Sequence, residues 1–280
     1  MVDTPSNRVP RLNVPPPLLF VAGGCSMYLG AALAVVLFNQ VSPAGVAWLR
    51  MLVAALVLLA WRRPDRAAWV GNRLGVAACF GIVTGLMNVA FYEAIARLPL
   101  GTAVAVEFCG PVAVAALGSR SVRDVVALGL AATGVVLIAD VRLAVNRAGL
   151  LLALLAALMW ATYIVLGKQV ARGGSGLDDM TVGFTIAAVL LCPLALGTGP
   201  AWGSPTLLVM TAGVGVLSTV LPYALDQVVL RRIDRAQFAL LLTLLPAVAS
   251  VVGLVVLGQL PHPMEAVGIS AIALAVGAAR

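Results

Sequence analysis

The stretch NVAFYEAIARLPLGTAVAVEFCGP, Asn88–Pro111, decides how this chain is read. It closes one apolar run, turns within a few residues around Arg97–Pro99, and opens a second apolar run. A connection that short makes two neighbouring helices an antiparallel hairpin. Within the second run stands Glu107, a carboxyl where hydropathy leaves no room for one, followed four residues later by Pro111. Residues four apart share a helix face, and a proline removes one backbone hydrogen bond and bends the helix. The stretch therefore predicts a kinked helix that carries an acid inside an apolar layer.

That layer is a bilayer. Hydrophobic residues make up 62% of the 280 positions and charged residues 10%, against about 25% charged in soluble domains. A soluble core of this size could not hide so much apolar side chain. Crossing a bilayer takes about 17–25 apolar residues per helix, and helices suit lipid because they satisfy their own backbone groups. The alternating pattern of a transmembrane β-barrel is absent.

Working outward from Asn88–Pro111, ten spans are predicted. The first half holds Pro17–Phe38, Gly45–Trp61, Leu74–Ala96, Gly101–Leu117 and Asp124–Ala139. The second holds Ala148–Gly167, Thr181–Leu196, Pro205–Val229, Ala236–Leu257 and Met264–Ala279. The run Pro17–Phe38, within which Ala32–Ala34 resembles a cleavage site, is too long for a signal peptide and is read as the first helix. The two halves align at a shift of about 135 residues: Tyr28 falls on Tyr163, Arg50 on Thr185 and Pro111 on Pro246. A block with an odd number of spans inverts when repeated, and inverted repeats are a common plan of secondary transporters. The expected organisation is an N-terminal segment 1–16, a first five-helix repeat 17–139, a linker 140–147 and a second repeat 148–280.

Charge placement sets the orientation. With the N-terminus inside, 14 Lys and Arg residues fall on the cytoplasmic side and 3 on the outer side, leaving Arg50 within a span. This is the positive-inside pattern and places both termini in the cytoplasm. The net charge of +7 is thus a topology signal. No basic cluster interleaved with aromatics tracks a phosphate backbone, so nucleic-acid binding is not expected. Cys25, Cys79, Cys109 and Cys192 lie in apolar runs without metal or redox spacing and read as buried, inert thiols. The lone His262 sits in a Pro-flanked turn, so no metal site and no cofactor is expected. No GxxxxGK[ST] sequence occurs, which argues against an ATP-driven pump.

The informative residues are those that cost energy to place in lipid, about 2.5–3.5 kcal/mol for a charge at helix centre. Arg50 and Glu107 have opposite signs at comparable depth and are read as a candidate pair, either neutralising one another or acting on substrate. In the functional reading, Arg50 holds a substrate carboxylate and Glu107 binds a proton or a substrate amine. Asn88 and Tyr92 share one face of the third helix. Thr219, Tyr223, Asp226 and Gln227 form a polar stripe on the eighth, read either as interhelical bonding or as cavity lining. Trp160 and Tyr163 share a face of the sixth, as aromatic packing or as a cavity wall. Pro111 and Pro246 are matched kinks. Glu93 and Arg97, at i and i+4, read as an interfacial salt bridge.

The order of these motifs resembles the drug/metabolite transporter superfamily, in its EamA-domain branch and more narrowly the threonine/homoserine exporter type. The carrying stretches are GVAWLRML at Gly45–Leu52, the opening stretch Asn88–Pro111, MWATYIVLGKQ at Met159–Gln169 and STVLPYALDQVVLRRID at Ser218–Asp234. The resemblance implies ten helices in two inverted repeats around a central cavity. It also implies alternating access and proton-driven export of amino acids or related small metabolites, in a bacterial cytoplasmic membrane. Carried over by position, Arg50, Asn88, Tyr92, Glu107, Trp160 and Tyr163 are the substrate-binding candidates, and Glu107 and Asp226 the proton-coupling ones. Two departures stand out: Leu245 precedes Pro246 where a Glu-Pro pair is common, and Asp226 stands where Glu is usual. A carrier for another solute class (nucleoside, sugar-linked metabolite or toxic compound) remains an alternative. A channel or membrane-embedded enzyme is further off, because no catalytic cluster is present.

Overall fold

In a computed structural model, the described residues are 14–118, 122–142, 146–172, 176–222, 225, 229, 232, 241–242 and 244–278. Among them the chain is helical and contains no strand. The helices are α1 Pro16–Leu37, α2 Pro43–Arg62, α3 Gly71–Ile95, α4 Leu100–Glu107, α5 Cys109–Gly118, α6 Val122–Arg142, α7 Arg147–Arg172 and α8 Gly176–Leu190. They continue with α9 Gly199–Trp202, α10 Pro205–Gly215, α11 Leu245–Leu257 and α12 Pro263–Ala278. Four helices are long and apolar enough to cross a membrane, a bent pair forms a further candidate span, and other apolar helices are shorter. With leucines and valines exposed along the outside, such as Leu18, Leu56, Val125 and Leu151, this is an all-α integral membrane protein.

Local chemistry sets the helix ends. Ser42 caps α2 by accepting from the Gly45 N–H at 3.1 Å, with Pro43 at the first helical position, where its missing N–H costs nothing. Ser204 and Pro205 open α10 in the same way. Gly258 ends α11 at φ 65°, a left-handed conformation that favours glycine.

Prolines set the interruptions. Pro111 has no N–H to give the Glu107 carbonyl four residues back. The fourth predicted span accordingly breaks at Phe108 into α4 and α5. Thr181–Leu196, expected as one span, is broken: α8 stops at Leu190, and Cys192–Thr198 continues as a 3₁₀-helix, with a 62° bend across the break. Pro193, inside that run, cannot donate to the Val189 carbonyl and its ring clashes there. The eighth span is interrupted differently, by a wider π-helical turn at Val216–Val220 directly after α10.

Packing relies on small residues, as expected where lipid supplies no hydrophobic drive between helices. Backbones of α3 and α8 touch at Gly81 and Gly183, where a Cβ on Gly81 would overlap the Gly183 carbonyl. Helices α6 and α12 meet at Gly134 and Gly268, each lacking room for a Cβ. Further pairings are α3 with α7, α1 with α10 and its π turn, α2 with α8 and α10, α4 with α7 and α11, and α1 with α11.

The cysteines are free, but only partly as expected: Cys25 and Cys109 are half-buried, whereas Cys79 and Cys192 are exposed on the bundle surface. Their helical positions point outward, and an apolar run carries no signal of which face is inward when lipid and core are equally apolar.

Candidate functional site

Arg50 is the hub of the interior. It sits on α2, and each polar edge of its guanidinium is engaged. Nη1 donates to Asn88 Oδ1 on α3 at 2.6 Å. Nε donates to Thr219 Oγ1 at 2.8 Å, and Nη2 to the Ser218 carbonyl at 2.9 Å, both on the π turn. The Tyr92 ring lies 5.5 Å from the guanidinium carbon, an attractive cation–π distance. The apolar layer tolerates the Arg50 charge because each guanidinium nitrogen has an oxygen partner.

The π turn supplies the oxygens for a backbone reason. Leu221 N–H bonds the Val216 carbonyl, a five-residue step. Pro222 follows and has no N–H, so residue 222 serves neither the Leu217 carbonyl in the wider register nor the Ser218 carbonyl in the ordinary one. Both find donors across the bundle. The Ser26 hydroxyl of α1 donates to the Leu217 carbonyl at 2.8 Å, and Arg50 serves Ser218. Buried carbonyls must be paired, and π turns recur at functional sites.

Asn88 is held in turn. Its amide donates to the Thr84 carbonyl at 2.8 Å, which fixes its oxygen toward Arg50. Arg50, Met51, Ala54, Thr84, Asn88 and Thr219 help line a cavity of about 30 Å³. That is room for one or two waters and not for an amino acid.

The structure brings Arg50, Asn88, Tyr92 and Thr219 together, but Arg50 and Glu107 do not form the direct ion pair expected of them. Among the described residues, the salt bridges are Arg62–Asp178, Arg73–Asp65, Arg73–Asp179 and Arg97–Glu93. Arg50 is already satisfied by uncharged oxygens. Glu107 lies within electrostatic range of Arg50 and of Tyr28. Glu107 is buried, 9% exposed, at the last turn of α4, where the helix breaks.

Trp160 and Tyr163 part company. Trp160 packs edge-on against Phe108, the residue beside Glu107, with centroids 4.7 Å apart. Tyr163 lies 4.8 Å from Phe80 in a separate cluster with Met51 and Phe184. The Tyr92 hydroxyl is buried and has no hydrogen-bond partner among the described residues. Pro246 lies in the first turn of α11. Asp226, Tyr223 and Gln227 lie outside the described residues. The Glu93–Arg97 bridge forms as expected, and Glu93 also accepts from the Ala44 N–H at 3.1 Å, tying α3 to the start of α2.

Residue-by-residue reading missed three polar groups. Ser218 was hidden because its carbonyl, not its side chain, is the ligand; Pro222 four residues on was the available signal. Trp48 donates to the Ala188 carbonyl at 2.8 Å, binding α2 to α8. Glu265, fully buried, accepts from the Thr102 hydroxyl at 3.1 Å and from the His262 N–H at 2.9 Å. It is the reciprocal partner in a helix-start capping box.

Among groups of His, Cys, Asp and Glu in the described residues, none could hold a metal ion.

Comparison with known proteins places this architecture. The EamA-like transporter family matches residues 147–279. The chain is 34% identical to the threonine/homoserine exporter RhtA of Escherichia coli K12, over 92% of this chain and 88% of that one. It is 36% identical to the threonine/homoserine exporter RhtA of Salmonella typhimurium LT2, over 87% of this chain and 84% of that one. A solved crystal structure with 20% identity superposes at a TM-score of 0.58, covering 94% of this chain and 96% of its own, which shows a shared fold. With near-full-length relatives above one-third identity, the chain belongs to the EamA-like family of drug/metabolite transporters, in the branch that holds the threonine/homoserine exporters.

Proposed function

We propose that this protein is a secondary transporter that exports amino acids of the threonine/homoserine type, or closely related small metabolites, across a bacterial cytoplasmic membrane. The observation that carries the reading is one-third identity, over about nine-tenths of the chain, to relatives named threonine/homoserine exporters. The interior fits that cargo. Arg50 offers a planar fork suited to a carboxylate, and Asn88 and Thr219 add neutral polar groups. Glu107 is the acid available for a proton or an amine.

The mechanism in this reading is alternating access by two inverted five-helix repeats, 17–139 and 148–280, with both termini cytoplasmic. Helix pairing supports it. Let α1, α2, α3, α4–α5 and α6 exchange with α7, α8, α10, α11 and α12. The pair α3–α7 then becomes α10–α1, α3–α8 becomes α10–α2, and α4–α7 becomes α11–α1, all of which pack. The pairs α2–α8, α4–α11 and α6–α12 map onto themselves, and they pack too. Gly134 and Gly268, 134 positions apart, face each other across the last of these. A two-fold arrangement of this kind lets two halves rock around a fixed midplane site. The small Arg50 cavity then belongs to a closed stage of the cycle.

Glu107 is the proposed proton carrier, with Asp226 its second-repeat counterpart in role. No catalytic step is assigned to any residue; the partners are substrate, protons and lipid. Efflux of radiolabelled L-threonine or L-homoserine from loaded vesicles tests the reading. Export that saturates with internal substrate and accelerates with an inward proton gradient is expected. Equal efflux from vesicles with and without the protein removes these substrates.

A further inference from the structure

The oxygens on the Nε–Nη2 edge of Arg50 have a particular arrangement. Thr219 Oγ1 lies 2.8 Å from Nε and the Ser218 carbonyl oxygen 2.9 Å from Nη2. Two oxygens side by side on this edge are the geometry in which a guanidinium binds a carboxylate bidentately. Neither oxygen is charged, and neither is there by accident. Pro222 has no N–H to give the Ser218 carbonyl four residues back, and Thr219 Oγ1 and that carbonyl both meet Arg50 from the π turn. The remaining nitrogen, Nη1, is held separately, by Asn88 from α3.

We propose that the π turn Val216–Val220 is a built-in stand-in for the substrate carboxylate, and that substrate binds by displacing it from the Arg50 fork. This rests on the reading of Arg50 as the carboxylate site and adds what that reading lacks, a link between occupancy and movement. The fork joins α2 of the first half to the π turn of the second. A carboxylate that takes the fork unties that joint, and departure of the substrate reties it. Asn88 and the Tyr92 ring keep the guanidinium aimed throughout. Arg50 therefore never stands unpaired in the apolar layer, where an unpartnered charge would be costly. The affinity of the site is the difference between two occupants, so weakening the internal one strengthens binding of the external one.

The test is equilibrium binding of radiolabelled L-threonine to the full chain in lipid nanodiscs, with L-threonine amide as the ligand lacking a carboxylate. Thr219→Val removes one internal oxygen and keeps side-chain shape. It is expected to bind L-threonine about three-fold or more tighter, the scale of one lost competing hydrogen bond, with amide binding unchanged. Pro222→Ala restores an N–H that can pair the Ser218 carbonyl and is expected to act in the same direction. A folded Thr219→Val protein that binds L-threonine no more tightly than the parent overturns the proposal, as does equal tightening for the amide. Should that variant not fold, Pro222→Ala decides by the same criterion. Arg50→Lys separates the two levels of inference. If it binds L-threonine as the parent does, the carboxylate-site reading falls with the proposal. If it loses binding while Thr219→Val gains none, only the internal stand-in is removed.

Discussion

Asn88 Oδ1 accepts from Arg50 Nη1 at 2.6 Å while the Asn88 amide is pinned to the Thr84 carbonyl at 2.8 Å. An uncharged acceptor in this position satisfies one edge of the guanidinium without neutralising it. In the proposed function, this leaves the Arg50 charge available to a substrate carboxylate. Asn88→Asp is isosteric but places an anion against that edge. The variant is expected to stay folded, with a thermal midpoint in detergent equal to or above the parent's. Its L-threonine efflux should fall ten-fold or more, because the proposed carboxylate site would then carry its own counter-charge. Asn88→Leu removes the acceptor altogether and is expected to lower both, since a buried donor left unpaired costs about 1–3 kcal/mol.

Glu107 makes no hydrogen bond or ion pair with the described residues, yet it sits within electrostatic reach of Arg50 and Tyr28. A carboxyl without a fixed partner is free to change protonation during a cycle. Glu107→Gln keeps the shape and abolishes the titration. In vesicles with an imposed pH gradient, parent efflux of L-threonine is expected to rise with the gradient, and that of the variant to be flat across it. A variant that follows the gradient as the parent does removes Glu107 from the coupling role.

The contact of Gly81 with Gly183 gives a prediction about packing alone. Gly81→Ala forces α3 and α8 apart, at an expected cost of about 1–3 kcal/mol for overpacking. Gly75→Ala lies on the same helix with nothing within 4 Å of the added carbon. It should be neutral or slightly stabilising, because alanine is the better helix former by about 1 kcal/mol. Thermal unfolding of the two variants in one detergent checks the ordering.

Much of the helix layout was legible from hydropathy, because lipid enforces long apolar runs. The break near Glu107 followed from Pro111. What escaped was set by backbone groups. Pro193 and Pro222 sit in runs as apolar as any other, and their effect depends on which carbonyl loses a donor and what replaces it. Counting charges pairs Arg50 with Glu107; counting carbonyls pairs Arg50 with Ser218. Trp160 and Tyr163 stand three apart on α7, but α3 and the break between α4 and α5 present different aromatics to it. Phe108 takes Trp160 and Phe80 takes Tyr163.

Glu265 supplies the last prediction. It is fully buried at the first turn of α12, accepting from the His262 N–H within its own helix start and from the Thr102 hydroxyl of α4. Gln259 reinforces the joint by accepting from the Leu100 N–H at 2.8 Å. Helix α4 carries Glu107 five residues beyond Thr102, so this joint sets the position of the proposed proton carrier from one end. Thr102→Val removes one bond and leaves the helix cap in place. It should cost about 1.5–3 kcal/mol, the scale of one hydrogen bond to a charged group. Glu265→Ala removes the cap as well and should cost more. The two are separable by function: if the joint positions α4, Thr102→Val lowers gradient-driven efflux of L-threonine while equilibrium binding holds. If it serves stability only, efflux per folded molecule is unchanged and only the unfolding midpoint moves.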